Sequence, residues 1–173
     1  RRAEILSTLL AFLDHEAAHR AGHGVTPVHV ESAFGMDGVE PLSIRLPDGR
    51  ELSFRGIVDR LDEGPGGRWV VSDYKTGRGS KYQKLLQDPV NGGTTLQLGL
   101  YAELARQRFG AEHVHSQYWM VDTAAGFVTH GYEWTEERRQ RFLDVLAVIA
   151  DGIDAGVFAK EPGEWDIFRN THE

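Results

Sequence analysis

The stretch WVVSDYKTG, residues 69–77, runs from two valines straight into an acid and a lysine. Side chains of a strand alternate between faces, so Asp73 and Lys75 share one side and Tyr74 points to the other. A charged end on an apolar strand calls for a partner, a metal ion or a catalytic reason, because an unpaired buried ion is costly. On these residues alone, a local salt bridge followed by a Lys-Thr-Gly turn is an equal reading. A second unusual acid lies upstream in ELSFRGIVDRLD (51–62), read as one long strand on which Asp59 shares a face with Ile57 and Leu61. The short EGPGG connection folds this strand back antiparallel beside the next, so the carboxylates of Asp59 and Asp73 can converge. Gln97 and Tyr101, spaced i, i+4 on a helix, can turn their polar heads toward the same strand ends. Arg78, Lys81 and Lys84 occupy a polar, glycine-containing stretch with no acid before Asp88. Such a loop suits a phosphate backbone as well as it suits solvent.

The elements that must position these residues follow from periodicity and turn chemistry. Ile5, Leu6, Leu9, Leu10, Phe12 and Leu13 give an amphipathic helix that ends before Gly22 or Gly24. His15, His19 and His23 recur at i, i+4, i+8 on it, and a solvated polar face explains them better than a metal stripe. Strands are expected at 27–34, 41–46, 51–62 and 68–75, separated by MDG, PDG and EGPGG turns. TTLQLGLYAELARQRFG predicts a helix with Thr94 or Thr95 as N-cap, Gly110 as stop and a core stripe of Leu96, Leu100 and Leu104. Two strands, 113–121 and 126–134, and a helix opened by Thr135, Glu136 and Glu137 complete the order. The tail from Phe158 shows no period. This order predicts a single α/β domain with a mixed central sheet flanked by helices.

Composition narrows the classes of function. The chain has 173 residues, 40% hydrophobic and 26% charged, enough for one ordinary core. No run of about 18 apolar residues occurs, which argues against a membrane span and makes a cytoplasmic setting the expectation. The absence of cysteine excludes disulfides and thiolate metal sites within these residues. A net charge of −7 argues against non-specific nucleic-acid binding, although local charge can override it. The uncapped first helix and the ending RNTHE read as a fragment of a longer chain.

GIVDRLD, then VVSDYKTG, then LQLGLYA resemble, in order and spacing, the PD-(D/E)XK nuclease superfamily, and within it the RecB-like exonuclease domains at the C-terminal end of AddB-type helicase-nucleases. The resemblance runs from about Glu31 to the tail. It implies a restriction-endonuclease-like αβββαβ core, with Asp59 as the acid of the first half-motif, Asp73, Tyr74 and Lys75 as the (D/E)XK tripeptide, and Gln97 and Tyr101 as the QxxxY helix motif. It further implies a divalent cation, Mg²⁺ or Mn²⁺, held by Asp59, Asp73 and a backbone carbonyl at Tyr74, with DNA as substrate and a helicase domain or subunit as partner. Arg78, Lys81 and Lys84 become candidate DNA-phosphate contacts. Glu31 falls where relatives often carry an acid, and a structural Glu on a strand is an equal reading.

Hydrolysis of a phosphodiester needs an activated water and neutralisation of developing negative charge, and a carboxylate-held cation does both. Mg²⁺ prefers hard oxygen ligands and keeps several waters, so two acids, a carbonyl and the DNA phosphate suffice. Lys75 beside the ion can orient the water or offset phosphoryl charge. Two features of relatives are missing: a Gly-x-x-x-His helix upstream of the first strand, and a cysteine cluster that would bind an iron-sulfur centre, expected just beyond a segment like PGEWDIFRNTHE. The histidine helix is expected in the preceding sequence of the parent chain; for the cysteine cluster, either the parent chain continues into it, which is the favoured reading, or this lineage lacks it. The resulting expectation is a metal-dependent DNA exonuclease domain of a recombinational-repair helicase-nuclease. A catalytically silent nuclease fold used for DNA guidance or subunit assembly is the alternative, and a carboxylate-pair sugar hydrolase is a weaker one that leaves the basic loop without a role.

Overall fold

The computed structural model of the protein describes residues 2–77 and 79–157. Its elements run α1 (Arg2–His23), β1 (Thr26–Phe34), β2 (Leu42–Arg45), β3 (Glu51–Phe54), β4 (Gly56–Gly64), β5 (Arg68–Lys75), α2 (Gln97–Phe109), β6 (His113–Met120), β7 (Thr129–Glu133) and α3 (Glu136–Asp154). Five strands form one sheet in the order β1-β4-β5-β6-β7, and β2 and β3 make a separate two-stranded hairpin. Only β5 and β6 pair in parallel, joined by the crossover through α2; every other pairing among the described residues is antiparallel. This is the mixed, helix-flanked sheet expected of the restriction-endonuclease-like core.

The core lies on the side of the sheet covered by α2, α3 and the hairpin. Val58, Leu61, Val71, Val114, Tyr118 and Met120 meet Leu98, Ala102 and Leu104 of α2 and Phe142 and Leu146 of α3 there. Gly99 permits the two helices to touch, because a Cβ at that position would fall 2.7 Å from the Phe142 ring. Thr135 caps α3 as expected, its hydroxyl accepting the Arg138 N–H.

Several expectations need correction. Residues 51–62 are two strands in two sheets, broken at Arg55. At the start of β4 the Phe34 ring lies over Gly56, where a Cβ would sit 2.9 Å from it, so the strand leaves the hairpin and joins β1 at a residue with no side chain. Leu96, not Thr94 or Thr95, stands at the N-cap of α2, with no side-chain cap. The Thr94 hydroxyl instead donates to the Asn91 carbonyl, and Thr95 is buried with its N–H on Val90. The most buried positions of α2 include Leu98, Ala102, Leu104 and Ala105, with Leu96 and Leu100 only partly covered. The stretch after Gly79 is no plain loop: Ser80–Leu86 forms a 3-10 helix that buries Tyr82 and Leu85, and Val90 is buried behind it.

The first helix is turned around relative to its aliphatic pattern. Ile5, Leu6, Leu9, Leu10 and Leu13 are each more than half exposed. Phe12 alone of the expected apolar set packs on the sheet, its ring centre 5.1 Å from that of Trp119, together with the histidine face: the His15 ring centre lies 4.7 Å from that of Phe127, and that of His19 4.4 Å from Trp119 and 4.3 Å from His23. The sheet surface beneath α1 carries Arg60, Asp62, Ser72 and Gln117, so polar residues of α1 are what it can pair with. Glu16 accepts from Arg60, and the His19 ring meets the Gln117 amide at 2.8 Å. Burial, with His23 and other positive charges nearby, lowers the His19 pKa to about 4.

Candidate active site at the sheet fork

The site forms where the sheet divides. The β4–β5 ladder runs from Gly64↔Arg68 to Arg60↔Ser72 and stops. Beyond it, β4 pairs only with β1, through Val58↔Ser32, Ile57↔Ala33 and Gly56↔Phe34. β5 stays with β6 through Asp73↔Tyr118 and Lys75↔Met120. Continuing the β4–β5 register by one step sets Asp59 opposite Asp73, on the same face. In place of the next ladder bond, Asp59 Oδ2 accepts the Tyr74 N–H at 2.7 Å.

Asp73 is buried at 2% exposure, and its Oδ2 lies 2.5 Å from the Lys75 ammonium. Burial raises the Asp73 pKa and Asp59 raises it further, while Lys75 acts in the opposite sense. Lys75 also donates to Gln97 Oε1 at 3.2 Å, Gln97 Nε2 donates to the Tyr101 hydroxyl at 2.8 Å, and that hydroxyl donates to the Ile57 carbonyl at 2.7 Å. This chain of bonds runs from one prong of the fork, across the first turns of α2, to the other prong. Burial holds the Tyr101 phenol up at about 12, with Asp73, Asp59 and Glu31 adding to the shift, so it remains a protonated donor at neutral pH. Asp59, Asp73, Lys75, Gln97 and Tyr101 are thus brought together, as their spacing predicts.

The donor set suits a hard divalent cation. The Asp59 carboxylate reaches the backbone next to Asp73 and the two acids feel each other's charge, and the Lys75 ammonium is the partner of Asp73 Oδ2 among the described residues. The Lys75 carbonyl accepts from Val121 on the β6 side, so the carbonyl of its neighbour Tyr74 faces the fork, as its N–H does. No cluster of three or more His, Cys, Asp or Glu suited to an ion exists among the described residues, so the remaining ligands would be water and substrate oxygens. Glu31 adjoins the pair: the β1–β4 register places it opposite Asp59, between Val30↔Arg60 and Ser32↔Val58. It is exposed and held at φ 48, in the left-handed region that a glutamate seldom adopts.

Of the three basic residues, Lys81 borders the site, its ammonium 4.8 Å from the centre of the Tyr82 ring. Lys84 is exposed in the last turn of the same 3-10 helix, and Arg78 lies outside the described residues. Behind the site is a network that the acids alone do not foretell. Buried Arg60 donates to Asp62 at 2.8 and 2.9 Å, to Glu16 of α1 at 2.7 Å and to the Tyr74 hydroxyl at 3.3 Å. The signal for it lies in GIVDRLD, where period two puts Arg60 and Asp62 together on the face opposite Asp59.

The sequence model of the PD-(D/E)XK nuclease superfamily matches residues 1–166 of this chain. A subunit of the ATP-dependent helicase/deoxyribonuclease of Symbiobacterium thermophilum is 42% identical over 103 residues, covering 56% of this chain and 8% of that protein. The protein of the same name from Geobacillus kaustophilus is 32% identical over 90 residues, covering 50% of this chain and 7% of the relative. The chain therefore spans less than a tenth of the length of either. A solved structure described as "Crystal structure of SSO0001" overlaps 88% of this chain and 62% of its own at 19% identity and a TM-score of 0.33, too loose a superposition to inform the site.

Proposed function

Because the chain belongs to the PD-(D/E)XK nuclease superfamily, we propose that it is the divalent-metal-dependent DNA exonuclease domain of a helicase-nuclease acting in recombinational repair in the cytoplasm. The observation that carries this reading is the pairing of Asp73 with Lys75 at 2.5 Å on one prong of a fork whose other prong presents Asp59. The names of the relatives from Symbiobacterium and Geobacillus support DNA as the substrate and a helicase as the partner. No helix among the described residues is long and apolar enough to cross a membrane.

Asp59, Asp73 and the Tyr74 carbonyl would hold Mg²⁺ or Mn²⁺. When bound, the ion supplies Lewis acidity at a phosphoryl oxygen and a lowered pKa for an attacking water. The residues of the chain do the rest. Lys75, held between Asp73 and Gln97, carries its positive charge to the mouth of the fork, where it offsets charge developing on the scissile phosphate or orients the water. Gln97 and Tyr101 are positioning residues that fix the lysine relative to the β4 backbone. Lys81 and Lys84, with Arg78, would contact flanking phosphates.

The test is cleavage of end-labelled linear DNA by the full chain in which this domain occurs, with Mg²⁺ and then with excess chelator. Cleavage lost with chelator and restored by metal is the expected result. A folded chain that binds DNA and never cleaves it would make the domain a silent guidance module.

A further inference from the structure

A cavity of about 330 Å³ opens beside the fork and shares Lys75 and Gln97 with it. Its other walls come from the segment between β5 and α2 and from β6, including Lys81, Asn91, Thr94 and Thr95. The floor is a pair of stacked tyrosines, Tyr82 and Tyr118, with ring centres 4.2 Å apart. An ammonium group stands over each ring: Lys75 at 5.2 Å from that of Tyr118 and Lys81 at 4.8 Å from that of Tyr82. Asn91 is held at φ 44, with its side-chain amide donating to Thr94 Oγ1 at 3.1 Å. That bond uses the amide nitrogen of Asn91, and both Asn91 and Thr95 line the cavity with a further polar oxygen.

We propose that this cavity is the subsite for one nucleotide of the DNA strand, the unit joined to the scissile phosphate, and that it binds a deoxynucleoside monophosphate as the free form of that unit. The proposal rests on the nuclease reading given above and adds to it where the reacting strand lies. The chemistry of the walls matches the parts of a nucleotide. The two ammonium groups meet phosphate, the Asn91 and Thr95 side-chain oxygens meet sugar hydroxyl or base edge, and the tyrosine and Leu96 surfaces meet the flat faces of sugar and base. The volume is at the small end of the range of roughly 300–1,000 Å³ typical of small-molecule sites, which admits one nucleotide and not a stretch of duplex. Lys75 belongs to both spaces, so a nucleotide seated here has its phosphate at the mouth of the fork.

The experiment is an equilibrium titration of the full chain carrying Asp73→Asn with thymidine 5′-monophosphate, in chelator, so that neither turnover nor a metal ion contributes. Inorganic phosphate and thymidine are titrated beside it. The nucleotide should bind more tightly than either part. Lys81→Ala in the same chain should weaken nucleotide binding at least about tenfold, as expected for loss of a charge-assisted contact. Thr94→Trp, an exposed position at the rim, should fill the cavity and abolish the Lys81-dependent component. Nucleotide affinity unchanged by both substitutions, or matched by phosphate alone, would overturn the proposal. Chelator-sensitive DNA cleavage by the unsubstituted chain, measured in parallel, keeps the two ideas apart. Cleavage without the nucleotide site removes only the site, and a nucleotide site without cleavage removes only the nuclease reading.

Discussion

Where β4 and β5 stop pairing, the Asp59 carboxylate takes the N–H of Tyr74, the residue after Asp73, in place of the missing ladder bond, and its charge raises the Asp73 pKa. The fork therefore sets a buried acid at a strand end while the Tyr74 N–H stays satisfied. Asp73 is stabilised in its charged form by Lys75 and destabilised in it by burial and by Asp59, with the second influence prevailing.

That balance predicts a stability effect. A carboxyl whose folded pKa lies above its unfolded value binds protons more readily when folded, so its favourable contribution is present at low pH and is lost as pH rises through the folded pKa. Without metal at neutral pH, Asp73→Asn should raise the melting temperature of the domain, by roughly 2–4 °C for each kcal/mol gained at this size. The gain should shrink as pH falls toward the ordinary carboxylate range, and thermal melts across this range read it directly.

His19 predicts a trend on the other face. Its pKa is lowered to about 4, so between that value and about 6.5 the unfolded chain holds the extra proton. Stability should fall as pH drops through this window and stay flat with respect to His19 above it. His19→Gln should reduce the slope of stability against pH there, as read by denaturant titrations at several pH values.

Which of these features could be read from residues alone depends on what each requires. Asp73 and Lys75 needed only the two-residue period of a strand, and Gln97 with Tyr101 only the helical i, i+4 spacing. The fork was not legible, because it depends on which neighbour each strand keeps after Arg60↔Ser72. The orientation of α1 was hidden for a related reason. Helical periodicity tells which residues share a face, but the polar sheet surface around Arg60 and Gln117 decided which face would pack, and it chose Glu16 and His19 over the leucines. The cap of α2 was lost to a local competitor, the bond from the Thr94 hydroxyl to the Asn91 carbonyl.

The Arg60 network predicts a large loss on truncation. Arg60→Ala leaves Asp62, fully buried, without its guanidinium partner and should lower stability by about 3–5 kcal/mol. Replacing the pair together, as Arg60→Met with Asp62→Leu, should recover much of that loss. Urea unfolding of the two variants is the comparison.

The basic residues predict a salt effect. Neutralising Arg78, Lys81 and Lys84 together should flatten the dependence of log affinity for DNA on log salt, by roughly 2 to 3 in slope if each contacts a phosphate. An unaltered slope would return the three to solvent.

Lys75 separates binding from chemistry. Lys75→Ala should leave metal and DNA affinity nearly intact while lowering the single-turnover cleavage rate at saturating metal, on the order of 10² or more if the lysine stabilises the transition state. If it serves only as the ion-pair partner of Asp73, the folded fraction will cleave at the unsubstituted rate and stability alone will drop.

The central claim is that Asp59 and Asp73 together hold the metal. It is tested most directly by calorimetric titration of Mn²⁺ into the full chain and into its Asp59→Ala and Asp73→Ala variants, each first shown to be folded by circular dichroism. Loss of the same binding event in both variants, with loss of cleavage, is the predicted result. Unchanged Mn²⁺ binding in both folded variants would contradict it.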